Sequence, residues 1–257
     1  MNIGIGDLKE FLDEKYEKYN HSDFIDSDPI KIPHSFSDPY DIEISAFLAA
    51  TIAWGQRATI IKNSYKLIAL MDNSPYDFLI NCNKTELKRF EYFIHRTFNG
   101  IDCMFFIKSL QNIYKKHGGL GVLFQRSYLQ NHNVKETLVE VRKTFFEIDH
   151  QHRTEKHFSD VSKGSSAKRL NMFLRWFVRN DNRGVDFGLW SKIPASALYL
   201  PLDIHTGNVA RKLGLLTRNQ NDWLAVEQVT SNLRKFDAND PVKYDFALFS
   251  LGLFEKF

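Results

Sequence analysis

Apolar residues along the chain recur every three or four positions, in segments of helix length separated by short polar or glycine-containing breaks. Leu8, Phe11, Leu12, Tyr16 and Tyr19 share one face and predict a first helix over 7–19. A loop rich in Asp, Ser and Pro is expected over 21–39. Asp41 then reads as the cap of a helix over 44–54 whose residues are apolar on every side, the pattern of a buried helix. Gly55 breaks it, and a further helix is expected over 59–71. Shorter helical segments follow at 76–80, 84–94, 102–117, 120–128 and 134–148. A polar stretch, 149–166, carries His150, His152 and His157, and helices resume at 168–179, 204–213, 222–236 and 242–254. Alternation of strand type is nearly absent and no fixed-period repeat is visible, so the expected class is all-α and not a solenoid.

The chain's 257 residues suffice for one large domain or for two lobes sharing a cleft. With 43% hydrophobic and 25% charged residues, the composition is that of a folded globular protein. No apolar run reaches the roughly 18 residues of a membrane-spanning helix. Residues 1–6 lack a basic segment followed by an apolar core, so no signal peptide is expected. Cys82 and Cys103 are the only cysteines, too few for a four-cysteine zinc or iron–sulfur site. Together these features predict a cytoplasmic protein without a metal or other cofactor.

Charge is unevenly distributed. Residues 1–44 hold eleven acids against four bases, a net of −7, whereas residues 163–218 hold ten bases against three acids, a net of +7. A concentrated positive region attracts polyanions, nucleic acid being the commonest; a solvated helical surface with a chance bias is the competing reading.

Two segments carry candidate chemistry. In Lys163-Gly164-Ser165-Ser166-Ala167-Lys168-Arg169, small residues open a helix, so its backbone amides can approach a phosphate closely. No Gly-Lys-Ser/Thr follows at the P-loop spacing. Lys168, Met172, Arg175 and Arg179 fall on one helix face, and Leu170, Phe173, Leu174, Phe177 and Val178 on the face expected to be buried. At the helix start, with Arg169 alongside, positive potential favours Lys168 as a free, nucleophilic amine; a surface lysine is the competing reading. In the second segment, 201–215, Asp203 is placed as an N-cap and Gly214 as the residue just past the helix.

These segments together resemble the helix-hairpin-helix DNA glycosylase superfamily, which includes endonuclease III. Gly164-Ser165-Ser166-Ala167-Lys168 resembles that family's Gly-x-Gly-x-Lys hairpin, and Leu202-Asp203-Ile204-His205 its Val-Asp-Thr-His. Upstream, Ala50-Thr51-Ile52-Ala53-Trp54-Gly55-Gln56-Arg57 is similar to the apolar helix that ends in a DNA-inserting Gln. Downstream, 244–252 is similar to the family's late packing helix. The matches keep the family's order from about residue 41 to 252. Ser166 replaces the second hairpin glycine, and Lys168 and Asp203 stand 35 residues apart, a longer interval than in endonuclease III. That interval, with the lack of cluster cysteines, is similar to the archaeal 8-oxoguanine glycosylase branch. The chain is also similar to a group of uncharacterised conserved bacterial proteins ending in the same Asp-Pro-Val-Lys-Tyr-Asp-Phe-Ala-Leu pattern.

The resemblance implies two helical lobes around a cleft, one over 45–130 and the other over 1–44 plus 131–257, with a hairpin element. It implies base-excision repair: Lys168 as the amine that attacks the sugar and forms a Schiff base, Asp203 as its partner carboxylate, and strand cleavage by β-elimination. Gln56 would fill the gap left by the flipped base. Arg57, Gly164, Ser165, Ser166 and Arg169 would contact DNA. Trp54, Phe187, Trp190 and His205 are candidate walls of the base pocket, with core packing the competing role for the aromatic ones. The implied partner is DNA, bound by a monomer that associates with the bacterial nucleoid. Two other classes stay open: a non-catalytic DNA-binding protein of this fold, and a small-molecule enzyme using Lys168. A metal site at His150, His152 and His157 is not expected, because no carboxylate spacing completes it.

Overall fold

A computed structural model describes residues 5–257, with the side chain of Ile5 excepted. The fold is all-α. Helices and 3-10 turns make up its regular structure, and the described residues contain only isolated β-bridges. In chain order the helices are α1 (Ile5–Tyr19), α2 (Asp23–Ser27), α3 (Pro39–Thr51), α4 (Arg57–Ala69), α5 (Pro75–Asn81), α6 (Lys84–Leu87), α7 (Gly100–His117), α8 (Leu120–Asn131), α9 (Val134–Phe145), α10 (Lys168–Val178), α11 (Ile204–Lys212), α12 (Trp223–Arg234) and α13 (Tyr244–Leu253).

Every expected helix has a counterpart, and the differences sit at the ends. The 21–39 segment is not all loop: it contains α2 and two 3-10 turns, Pro29–Lys31 and Pro33–Ser35. The expected helix over 84–94 ends early, as α6 plus one 3-10 turn. Asp38, not Asp41, caps α3, accepting from the amides of Tyr40 and Asp41, because Pro39 supplies the fixed φ of a first helical residue. Asp41 instead accepts from the Tyr76 amide at 2.7 Å. Helix α3 ends at Thr51, so its break precedes Gly55, whose φ of +107° keeps the connection to α4 out of helical geometry.

The chain forms two compact units, Met1–Phe24 with Asp160–Phe257, and Ile25–Ser159. The expected first lobe, 45–130, lies inside the second of these. In the discontinuous unit, α1, α11, α12 and α13 close around Leu8, Leu12, Val209, Val226, Leu248 and Leu251. The continuous unit is built on α3, buried without interruption from Ile42 to Thr51. Its core is largely aromatic, with Phe47 against Phe106, Phe145 and Phe158 at ring separations of 5.6–6.2 Å. Glu43 is the one carboxylate on α3's buried stretch, and it accepts from Tyr114 Oη at 2.8 Å and the Gly121 amide at 3.2 Å.

Candidate active site

Helix α10 begins at Lys168, directly after the small-residue turn. A short 3-10 turn, Val161–Lys163, precedes it, so only a single turn stands where a hairpin's first helix is expected. Gly164 closes that turn at φ +84°, a left-handed conformation that suits glycine, and the space beside its Cα is open. Ala167 is also left-handed, at φ +47°. The turn is pinned at both ends. The Trp223 amide donates to the Gly164 carbonyl at 3.0 Å, and Asn171 Nδ2 donates to the Ser166 carbonyl at 3.1 Å. The amides of Ser165 and Ala167 are committed to Asp160 O and Ser165 Oγ.

Asp203 caps α11 by accepting from the Thr206 amide at 2.9 Å, and the same carboxylate lies 3.9 Å from Lys168 Nζ. The two side chains are about a quarter exposed, 24% and 26%, so a substrate can reach both. Lys168 Nζ also lies 3.6 Å from Met172 Sδ and 5.9 Å from the centre of the Phe249 ring on α13. The capping role and the pairing with lysine therefore coexist on Asp203.

Behind this pair, the face of α10 that carries Arg175 and Arg179 is buried, which corrects its assignment as the face opposite the core. Arg175 donates to Asp245 at 2.6 Å and to Asp186 at 3.2 Å. Arg179 donates to Asp186 at 2.5 Å, to Asp181 at 3.0 Å and to Asp240 at 2.8 Å. Burial works against the Arg179 charge, but Asp186, Asp240 and Asp181 raise its guanidinium well above its ordinary value. Burial pushes the Asp245 carboxyl up to about 6, against the lowering pull of Arg175 and Lys168, while the Asp203 charge adds to the rise. Asp245 thus senses both members of the candidate pair.

The long interval between Lys168 and Asp203 has a structural role. The amides of Phe187 and Trp190 donate to the carbonyls of Trp176 and Phe177 at 2.7 and 2.8 Å, satisfying the end of α10. Trp190 is 1% exposed and stacks on Phe177 at 4.6 Å. It is a core residue, not a wall presented to a base. Phe187 is half-buried on the same Phe177 ring, and His205 is exposed on α11. Arg169 is half-buried on α10, and desolvation lowers its guanidinium to about 10.

Trp54, Gln56 and Arg57 belong to the continuous unit. Gln56 is exposed at the start of α4, its side chain making no capping bond, and Arg57 is the first residue of that helix. Trp54 is half-buried, its ring 5.1 Å from His95 and 5.9 Å from His157, the latter stacked. His157 is paired with Asp102 at 3.1 Å, while His152 and His150 turn to a different carboxylate, Glu155, at 3.0 and 3.5 Å. Among the described residues, no three His, Cys, Asp or Glu side chains converge as a metal site. No described helix is long and apolar enough to cross a membrane.

A family model described as "Protein of unknown function (DUF2400)" matches residues 28–254. The chain belongs to the DUF2400 family. No curated protein and no solved structure matches it. For this DUF2400 chain, the residues that motif reading missed are Asp245, Asp186 and Asp240. Asp245 stood in a segment that resembled a packing helix, and Asp186 in the interval that offered only Phe187 and Trp190 as candidate site residues. Their common signal was the pair Arg175 and Arg179, two arginines one turn apart on a strongly apolar helix, which require buried carboxylates.

Proposed function

We propose that this DUF2400 chain excises a damaged base from DNA and cleaves the resulting abasic site, through a Schiff base on Lys168. One observation carries the reading: the amine opens α10 directly after a small-residue turn and has the Asp203 carboxylate 3.9 Å away, both partly exposed. The resemblance of that turn, of 202–205 and of 50–57 to the glycosylase superfamily supplies the substrate class.

In this reaction the amine forms a bond to the sugar's anomeric carbon as the glycosidic bond breaks. The base leaves with the bonding pair and gains a proton, while Asp203 balances the positive charge that develops on the sugar. The amine gives up its protons and the ring opens to the imine. Loss of the adjacent C2′ proton then expels the 3′ phosphate. The resemblance gives Gln56 the part of filling the space left by the flipped nucleotide. The long interval before Asp203 favours an oxidised purine, 8-oxoguanine first. The enzyme acts as a monomer in the cytoplasm, on nucleoid DNA.

The test is borohydride trapping on duplexes holding an abasic site, 8-oxoguanine or other lesions, with wild type and Lys168→Gln. A covalent complex formed by wild type alone is expected. If no duplex yields one, the enzymatic reading is wrong, and retained duplex affinity would then assign a binding role.

A further inference from the structure

Residues 92–98 lead from the 3-10 turn Lys88–Phe90 toward α7, and most of their side chains alternate between outside and inside. Tyr92, Ile94 and Arg96 are exposed, whereas Phe93, His95 and Phe98 are buried. The inward residues fix the segment. Phe98 meets Phe106 of α7 at 5.2 Å and Phe93 at 6.2 Å. His95 and Phe98 exchange amide-to-carbonyl bonds of 2.8 and 3.0 Å across a tight turn. What this turn touches is the connection from α3 to α4. His95 Nε2 donates to the Trp54 carbonyl at 3.1 Å, and its Nδ1 accepts from Asn63 Nδ2 of α4 at 2.9 Å. A carbonyl only accepts, so the hydrogen belongs on Nε2 and leaves Nδ1 as the acceptor. The Trp54 ring lies edge-on to His95 at 5.1 Å and stacked on His157 at 5.9 Å. One residue on, Gly55 is left-handed at φ +107°, and a Cβ there would stand 2.8 Å from Arg96 Nη1 and 3.3 Å from Arg96 Cδ. Arg96 is itself left-handed, at φ +55°, a strained backbone for a residue other than glycine. Gln56 follows at the cap position of α4, exposed, with no side-chain bond spent on the cap.

We propose that the 95–98 turn is a clasp for residues 54–56, with His95 and Arg96 as positioning residues that hold Gln56 in the shape needed to enter a stack of nucleobases. The proposal rests on the reading of Gln56 as the DNA-inserting side chain for its use, while the clasp belongs to the protein alone. A side chain that fills a gap in the stack does so at a cost if its backbone samples other conformations, because each insertion must then order it. Gly55, the most permissive residue type, is where the connection would otherwise give way. It is held from two directions, by the hydrogen bond on the carbonyl before it and by the guanidinium lying over its Cα.

The experiment uses the full chain as wild type, His95→Phe, His95→Gln and Gln56→Ala. His95→Phe keeps a ring against Trp54 and loses the bond to its carbonyl, whereas His95→Gln keeps a donor. Without DNA, hydrogen exchange of a peptide covering 53–58 is expected to quicken about three- to tenfold in His95→Phe, the factor one net hydrogen bond supports, and to return toward wild type in His95→Gln. Unchanged exchange in His95→Phe overturns the proposal, and so does equal quickening in both variants. With saturating protein, a duplex carrying an abasic-site analogue opposite 2-aminopurine reports unstacking as a rise in fluorescence. The rise is expected to be smaller in His95→Phe and Gln56→Ala, with His95→Gln close to wild type. If Gln56→Ala reduces it and His95→Phe does not, the positioning role falls while the reading of Gln56 stands. If wild type gives no rise, or Gln56→Ala keeps all of it, that reading falls and takes the positioning role with it. Should His95→Phe not melt cooperatively, Arg96→Gly decides, since glycine adopts the left-handed backbone without strain and removes the guanidinium over Gly55. Wild-type exchange in Arg96→Gly then overturns the proposal.

Discussion

Asp186 shows how one side chain can decide whether the candidate site exists at all. Its carboxylate is fully enclosed and accepts from both Arg175 and Arg179, so it offsets two buried guanidinium charges at once. Burial raises its own carboxyl, while the two arginines pull it the other way. Deleting one partner of a buried ionic cluster leaves charge without compensation, which costs about 3–5 kcal/mol. Arg175 keeps Asp245, and Arg179 keeps Asp181 and Asp240, so the loss falls at the lower end of that range. Asp186→Ala is therefore expected to lose about 3 kcal/mol in urea unfolding, with Lys168→Gln staying within about 0.5 kcal/mol of wild type. A loss under about 1 kcal/mol for Asp186→Ala would show that the two arginines do not depend on it.

At the scale of elements, two carboxylates hold the segment after α9: Asp102 takes Arg153 at 2.8 Å and His157 at 3.1 Å, and Glu155 ties it back to α9. Glu155 accepts from Arg142 of α9 at 2.9 Å and from His152 at 3.0 Å, and these bonds, with His150, hold its carboxyl down at about 2. A carboxyl lower in the folded than in the unfolded chain stabilises the fold above its ordinary value of 4.5. That contribution fades as pH falls from 4.5 toward about 2. Thermal melts of wild type and Glu155→Gln should show a gap at pH 7 that closes over this window. A gap independent of pH would remove Glu155 as a fastener. The helices themselves were legible in the sequence because amphipathic periodicity is local. Where local signals competed, reading was less complete: α2, five residues long, sits in an Asp- and Pro-rich segment, and the cap of α3 passed to Asp38 because Pro39 follows it. Lys168, Asp203 and the turn before them were legible as motifs. Asp245 was not, because what gives it meaning is Arg175, 70 positions away, and contact at that separation leaves no spacing to read.

For the whole molecule, the +7 excess over 163–218 overstates the field presented to a polyanion. Arg175 and Arg179 are buried among carboxylates, Arg183 is paired with Glu17, and Arg218 with Asp222. Arg211 donates to the carbonyls of Arg218 and Asn219. The acids of the N-terminal region supply one partner to these bases, Glu17 of α1 to Arg183, while Asp13 pairs with Lys243, outside 163–218, all within the discontinuous unit. Much of the charge asymmetry visible along the chain is cancelled in the fold. Lys163 differs. Its side chain is 75% exposed immediately before the small-residue turn, and its contact with Asp160 is a loose 3.7 Å, so water screens it and a phosphate can displace it. If DNA is held at that turn, each lysine contact to a phosphate contributes about 0.9 to the slope of log affinity against log salt. Lys163→Gln should reduce the slope by about that amount, and Arg183→Gln should leave it unchanged. Fluorescence anisotropy with a labelled duplex over a salt series measures both. Equal reductions for the two variants would mean that DNA responds to a diffuse positive surface, and the placement of the phosphate contact at the turn would fall.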